Sequence, residues 1–319
     1  MPQPPLPDRL GIRFSVADAL RTGVSPSRLR KADLTAPFHG IRARLPAELG
    51  AEHDRNGHAL GTSERDHLRR ASEYAVLMAD GHFFSHVTAA VIWGLPLPLG
   101  LVTCRAIDVA VLSPSRLPRV EGVRGHETSA RLTTVVRDPH SGLRVASPAS
   151  TWAMLGAVLR DPYDLIAAGD AVVRDWRVAE PLATVAQLAA AVASGRRIGV
   201  GALRAALPQL RTRSASRPES IARLTLLDAL LPEPELNFDV MADGLWLACV
   251  DLAYPQLKIA IEYEGEHHLL DTEQWASDIL RYDRLVAAGW RVIRVTKSEL
   301  FTSPDAFVAR VRAAIAERS

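Results

Sequence analysis

The stretch LWLACVDLAYPQLKIAIEYEGEHH, residues 245–268, constrains the fold of this chain more than any other. Leu245 to Leu252 is apolar apart from Asp251. Tyr254, Pro255 and Gln256 make a turn, and Ile259, Ile261 and Tyr263 then alternate with Ala260, Glu262 and Glu264. A continuous apolar run of this length reads as a buried strand, and the period-two alternation reads as its neighbour. Two adjacent strands would carry Asp251, Glu262 and Glu264 towards one point of a sheet. Carboxylates that share a half-buried site repel, and each one left unpaired costs several kcal/mol, so something cationic has to join them. Hard oxygen ligands suit Mg²⁺ or Mn²⁺, and Mg²⁺ takes one or two carboxylates together with waters and a phosphate oxygen. The competing reading neutralises the acids with basic side chains. Lys258 lies on the same face but roughly 13 Å away by strand rise, and Arg281 follows on the next element.

The flanks supply the rest of a domain over 214–319. In SRPESIARLTLLDALLPEP, Pro218 opens a helix whose stripe is Ile221, Leu224, Leu227 and Leu231. Glu219 falls in its first turn, where the plain reading is an acid favoured by the helix dipole. DTEQWASDILRYDRLVAAGWRVIRVT predicts a helix capped by Asp271 or Thr272 and ended by Gly289, then a strand from Arg291 to Thr296. Trp275, Ile279, Tyr282 and Leu285 form its packing stripe, with Asp278 and Arg281 beside it, and a last helix spans about Pro304 to Glu317. The order helix, strand, strand, helix, strand, helix predicts an α/β/α core around a mixed sheet.

The length of 319 residues leaves room for two or three domains. Within 1–50, Val16, Ala19 and Leu20 have helical spacing, Gly23 breaks the chain, and Ser25 with Pro26 starts a second short helix before the extended FHGIRA. Helix, turn, helix, hairpin is the outline of a winged helix, which would turn Ser27, Arg28, Arg30 and Lys31 outward as DNA contacts. Such modules also serve as protein contacts. Residues 60–200 alternate helical and extended patterns, with Ser63 and Ser147 as expected caps, and read as an α+β middle domain. The whole chain is thus an α+β multidomain protein.

Net charge is only +2, but no acid lies between Glu180 and Glu219, while Arg196, Arg197, Arg204, Arg211, Arg213 and Arg217 accumulate there. This tract can serve phosphates or form a solvated helix and linker. His82 and His86 are four apart, yet no third ligand accompanies them and His126, so packing or surface roles are expected rather than a metal site. Cys104 and Cys249 read as buried thiols, which suits a reducing compartment. The start of the chain lacks a signal pattern and no run reaches a membrane span, so a cytoplasmic location is expected.

In Asp251, Glu262-Tyr263-Glu264, GEHH, Asp278, Arg281 and GWRVIRVT, residues 215–319 resemble the PD-(D/E)XK nuclease superfamily. The branch is that of very short patch repair endonucleases. The resemblance implies a restriction-endonuclease-like core and Mg²⁺- or Mn²⁺-dependent hydrolysis of DNA phosphodiesters, with Asp251 and Glu262 as metal ligands. Glu264 stands where many members carry lysine, and the branch's use of histidines implies His267 or His268 as acid or base. Glu219 matches the first-helix acid that some members add. Arg211, Arg213 and Arg281 are further candidates for contact with double-stranded DNA. The front half is similar to antitoxins of the AbiEi type, a winged helix plus middle domain. That likeness implies transcriptional regulation within a toxin–antitoxin system, and the alternative reading of the chain is a non-catalytic DNA-binding regulator with a vestigial nuclease fold, acting with a toxin–antitoxin partner or as a homodimer. A third reading is a structural domain whose acids pair with Arg281 and other cations.

Overall fold

The computed structural model describes residues 5–45, 60–178, 180–264 and 272–319, with the backbone alone for 272–279. In chain order the elements are β1 (Arg13–Ser15), α1 (Val16–Arg21), β2 (Leu34–Thr35), β3 (Ile41–Arg44), α2 (Thr62–Ala75), β4 (His82–Phe84), α3 (His86–Trp93), α4 (Leu99–Val102), β5 (Ile107–Leu112), β6 (Val123–Thr128), β7 (Val135–Arg137), β8 (Arg144–Ala146), α5 (Pro148–Leu155), α6 (Pro162–Val173), α7 (Val185–Ala193), α8 (Val200–Ala206), α9 (Arg217–Asp228), β9 (Glu235–Ala242), β10 (Leu245–Tyr254), β11 (Ile259–Glu264), α10 (Thr272–Ala287), β12 (Arg291–Thr296), α11 (Lys297–Phe301) and α12 (Pro304–Arg318). This α+β chain divides into two compact units, Met1–Arg160 with Leu182–Pro208, and Asp161–Pro181 with Gln209–Ser319.

In the first unit, a small sheet ordered β1-β3-β2 is accompanied by α1 and a core of Leu6, Leu10, Phe14, Ala19, Val24 and Leu29. The expected second helix is only a 3-10 turn over Arg28–Arg30. Arg28 does not face outward: it is 7% exposed, and its guanidinium forks onto Asp33 at 2.9 and 2.7 Å. Leu29 on the same turn packs into the core, and with only three residues to the turn its neighbour is drawn inward as well. Arg30 and Lys31 are exposed.

A five-stranded sheet ordered β6-β5-β4-β8-β7 forms the rest of that unit. Ser147 caps α5 by accepting from Ser150 N–H, with Pro148 at its first position. The cap of α2 falls at Gly61 rather than Ser63, because the Glu64 carboxylate reaches back to Gly61 N–H at 2.8 Å. His82 lies in β4 while His86 opens α3, so the two do not share one helix face. Cys104 is exposed, against expectation, and both thiols are free. Gly199, at φ +77°, lies so close to Gly156 that a Cβ there would sit 1.8 Å from the Gly156 carbonyl oxygen. No helix among the described residues is long and apolar enough to cross a membrane.

The second unit is built on a mixed sheet ordered β12-β11-β10-β9. β11 and β12 run parallel, and the other neighbours are antiparallel. One face packs Leu252, Tyr254, Ile259, Ile261, Ile293 and Val295 against Ile221 and Leu226 of α9 and Phe307 and Val311 of α12. On the other side, Ala253 and Ala260 cluster with Leu285 of α10 and Trp290. α6 belongs to this unit: Arg217 pairs with Asp164 at 2.6 Å, and Ser220 Oγ donates to Asp170 at 2.7 Å. Strand β9 and helix α11 are additions to the expected element order.

Candidate active site

The β10–β11 ladder pairs Tyr254 with Ile259, Ala253 with Ala260 and Leu252 with Ile261. Asp251 and Glu262 follow directly beyond the last of these pairs. There the Asp251 carboxylate accepts from the Tyr263 N–H at 2.8 Å. A side chain thus holds a strand amide just where the ladder of backbone pairs stops. Neighbouring acids repel, and the structure sets a cation beside Glu262. Arg281 of α10 donates to Glu262 Oε2 at 3.0 Å and to the Cys249 carbonyl at 3.4 Å. Glu262 itself is 9% exposed.

Glu264, two residues on and on the same face, pairs with Arg294 of β12. That pair follows from the parallel register, in which Glu262 is the partner of Arg294. Lys258 takes no part: its Nζ donates to the Ala288 carbonyl at 3.1 Å.

Glu219 is no surface acid. Its helix α9 is capped by Ser216, and the side chain is 5% exposed. Its Oε2 accepts from Ala215 N–H at 2.8 Å and from Asn237 Nδ2 at 2.6 Å, and its Oε1 accepts from Ser216 Oγ at 2.9 Å. Burial, and then the negative charge of nearby Asp251, push the Glu219 carboxyl up to about 7, against the pull of those three donors. Asn237 is a site residue that the sequence reading missed. It sits on β9 at φ +47° and also donates to the Arg213 carbonyl at 2.7 Å, while Arg213 donates back to the Asn237 carbonyl at 2.6 Å. The signal was present in ELNFDVMADGLW, where Leu236, Phe238 and Val240 alternate up to the hairpin dipeptide Asp243-Gly244.

Asp251 thus lies near Glu219 and binds the amide that follows Glu262, while Arg281 is on Glu262 and Arg294 on Glu264. His267 and His268 lie outside the described residues, as does the side chain of Asp278. Arg211 and Arg213 spend donors inside the unit, Arg211 on Glu233 at 2.8 Å and Arg213 on the carbonyls of Leu236 and Asn237. A cleft of about 690 Å³ is lined by both arginines with Glu233, Leu236, Phe238 and Asp239. Arg28, Arg30 and Lys31 belong to the other unit.

Among the described residues, no group of three or more His, Cys, Asp or Glu side chains is arranged to hold a metal ion. The carboxylates of Asp251 and Glu262 are hard oxygen donors of the type that suits a Mg²⁺-like ion, which takes one or two protein ligands and keeps several waters.

The chain is 31% identical over 251 residues to two proteins of Mycobacterium tuberculosis, the uncharacterized protein MT2308 of strain CDC 1551 and the uncharacterized protein Rv2248 of strain H37Rv. Each alignment covers 78% of this chain and 86% of the relative. No family model matches the chain, and no solved structure does.

Proposed function

This chain belongs to the family of MT2308 and Rv2248, and we propose that it is a cytoplasmic metal-dependent DNA endonuclease whose second unit carries the cleavage site. The carrying observation is the placement of Asp251, which is held by the N–H of the residue after Glu262 and lies close enough to Glu219 that its charge, after burial, helps push that carboxyl up to about 7. Asp251 and Glu262 would hold a Mg²⁺ or Mn²⁺ ion through hard oxygens. When bound, such an ion acidifies an attached water and stabilises charge on a phosphodiester. The chain's own residues set the surroundings. Tyr263 N–H fixes the Asp251 carboxylate, Arg294 occupies Glu264, and the Ala215, Ser216 and Asn237 donors keep Glu219 in place.

The test is incubation of the protein with duplex, mismatched and single-stranded DNA in Mg²⁺ or Mn²⁺, beside Asp251→Asn and Glu262→Gln. Metal-dependent cutting that both substitutions abolish while DNA binding persists supports the proposal. Intact DNA throughout, together with no heat of Mn²⁺ binding, overturns it.

One observation favours a second reading. Arg281 already neutralises Glu262, as expected of a DNA-binding regulator with a vestigial nuclease fold, acting with a toxin–antitoxin partner or as a homodimer. That reading predicts binding that EDTA leaves unchanged and no Mn²⁺ uptake by either unit.

A further inference from the structure

Charge is divided unevenly between the units. The first carries 23 Lys and Arg against 14 Asp and Glu, the second 15 against 22. An acidic unit does not gather a polyanion by itself, whereas the excess of nine positive charges in the other gives it the long-range field that does. In the winged-helix-like segment Arg28 is withdrawn against Asp33, which leaves Arg30 and Lys31 as its exposed basic residues from the Arg28–Lys31 group.

We propose that the first unit holds double-stranded DNA on a ridge made by the β5–β6 crossover, through Arg105, Arg116, Arg119 and Arg124. All four are exposed. β5 and β6 are parallel neighbours, so residues 113–122 must return along the sheet and carry Arg116 and Arg119, while Arg105 stands just before β5 and Arg124 within β6. The ridge is pinned at both ends. Gly125 lets the crossover approach so closely that a Cβ there would lie 3.2 Å from Pro118, which fixes Arg119 beside the β6 edge. Arg70 of α2 donates to the Arg105 carbonyl at 2.9 Å and adds its own guanidinium. His82 holds the Arg116 carbonyl at 3.3 Å.

The acids nearby do not cancel this charge. Asp108 is 1% exposed and engaged by His126 at 2.8 Å and Arg124 at 3.3 Å, which leaves Glu121 and Glu127 as the exposed acids on this stretch. Arg105, Arg116 and Arg119 make no side-chain hydrogen bond or ion pair among the described residues, so their donors are available to phosphates. A ridge of separate guanidiniums contacts the backbone rather than base edges, which implies binding with little sequence preference and a steep dependence on salt. The inference rests on DNA as the substrate of the proposed nuclease, but not on cleavage.

Duplex DNA binding is measured by fluorescence anisotropy in EDTA over a salt series for wild type, for the triple variant Arg105→Ser, Arg116→Ser, Arg119→Ser, and for the charge-matched control Arg9→Ser, Arg160→Ser, Arg204→Ser. Each lost phosphate contact lowers the slope of log K on log salt by about 0.9. The ridge variant is therefore expected to lose about 2.7 from the slope and about tenfold or more in affinity, with the control within about threefold of wild type. Equal weakening in both triples, no weakening in the ridge triple, or binding to phosphatidylserine vesicles but not to DNA overturns the ridge. Because EDTA removes catalysis from the measurement, an inactive protein that still binds through the ridge refutes the nuclease alone.

Discussion

Substituting Glu219→Gln tests whether the acids converge as described. The unfolded chain titrates this carboxyl near 4.5, while burial and the adjacent Asp251 charge raise it to about 7 in the folded unit. Below pH 4.5 both states hold the proton and the group contributes nothing to the pH dependence. Between 4.5 and 7 the folded state keeps a proton that the unfolded state has lost, so stability falls as pH rises, by at most about 1.4 kcal/mol per pH unit. By pH 8 the accumulated loss is about 3 kcal/mol relative to pH 4. Glutamine keeps an oxygen for Ala215 N–H and Asn237 Nδ2 without a charge to titrate, so the substitution removes the slope and leaves the variant more stable than wild type at pH 8. The readout must follow the second unit alone, because two units need not unfold together. Labelling of the Cys249 thiol in a Cys104→Ser background, in urea with EDTA, reports on that unit. A ¹³C carboxyl titration locates the midpoint directly. If the stability gap between wild type and variant is the same at pH 5 and pH 8, or the carboxyl titrates between 4 and 5, Glu219 does not face Asp251 from a buried position and the convergence is refuted.

Arg281→Met removes the guanidinium from Glu262 and is expected to cost about 1–3 kcal/mol without metal, a loss that Mn²⁺ reverses if the ion takes the same carboxylate; thermal unfolding with and without Mn²⁺ checks it. Phe307→Ala, at a fully buried position against β11 and β12, is expected to destabilise the second unit by about 3–5 kcal/mol in urea. Gly199→Ala places a methyl 1.8 Å from the Gly156 carbonyl oxygen at a positive φ. Its cost is expected to exceed about 4 kcal/mol, seen as loss of the first unit's cooperative transition while Cys249 protection in the second unit persists.

Strand patterning made the central hairpin legible, because Ile259, Ile261 and the apolar run of β10 leave few alternatives to adjacent strands. The boundaries of β12 and the cap of α5 were equally readable, since Gly289, Ser147 and Pro148 act locally. What escaped the reading depends on tertiary contacts. Glu219 in a first turn looks like a dipole-favoured surface acid, and only the approach of β9 buries it. Arg28 follows the outward pattern of a helix but sits on a 3-10 turn, where Asp33 draws it in. Arg281 was visible as a cation beside the packing stripe, yet its choice of Glu262 is settled by the register of β10 on β11 and by the position of α10. The Arg211–Arg217 tract is dense in charge and reads as a phosphate surface, but the fold spends Arg211 on Glu233 and Arg217 on Asp164.

Glu233 and Glu219 give an internal comparison that bears on what the acidic group is for. Glu233 is partly buried, and the hydrogen bonds and charges of Arg211 and Arg223 outweigh that burial and hold its carboxyl below the usual range. Glu219, in the same unit, is offered three neutral donors and a neighbouring acid, and its carboxyl rises. The chain therefore has a ready way to stabilise a buried carboxylate with guanidinium and does not apply it at Glu219. A group that served packing alone would gain by the Glu233 arrangement, since unrelieved charge costs stability at neutral pH. Keeping Glu219 buried beside the Asp251 charge therefore costs stability once the carboxyl ionises, and the proposed divalent cation is a partner that would offset that cost on binding.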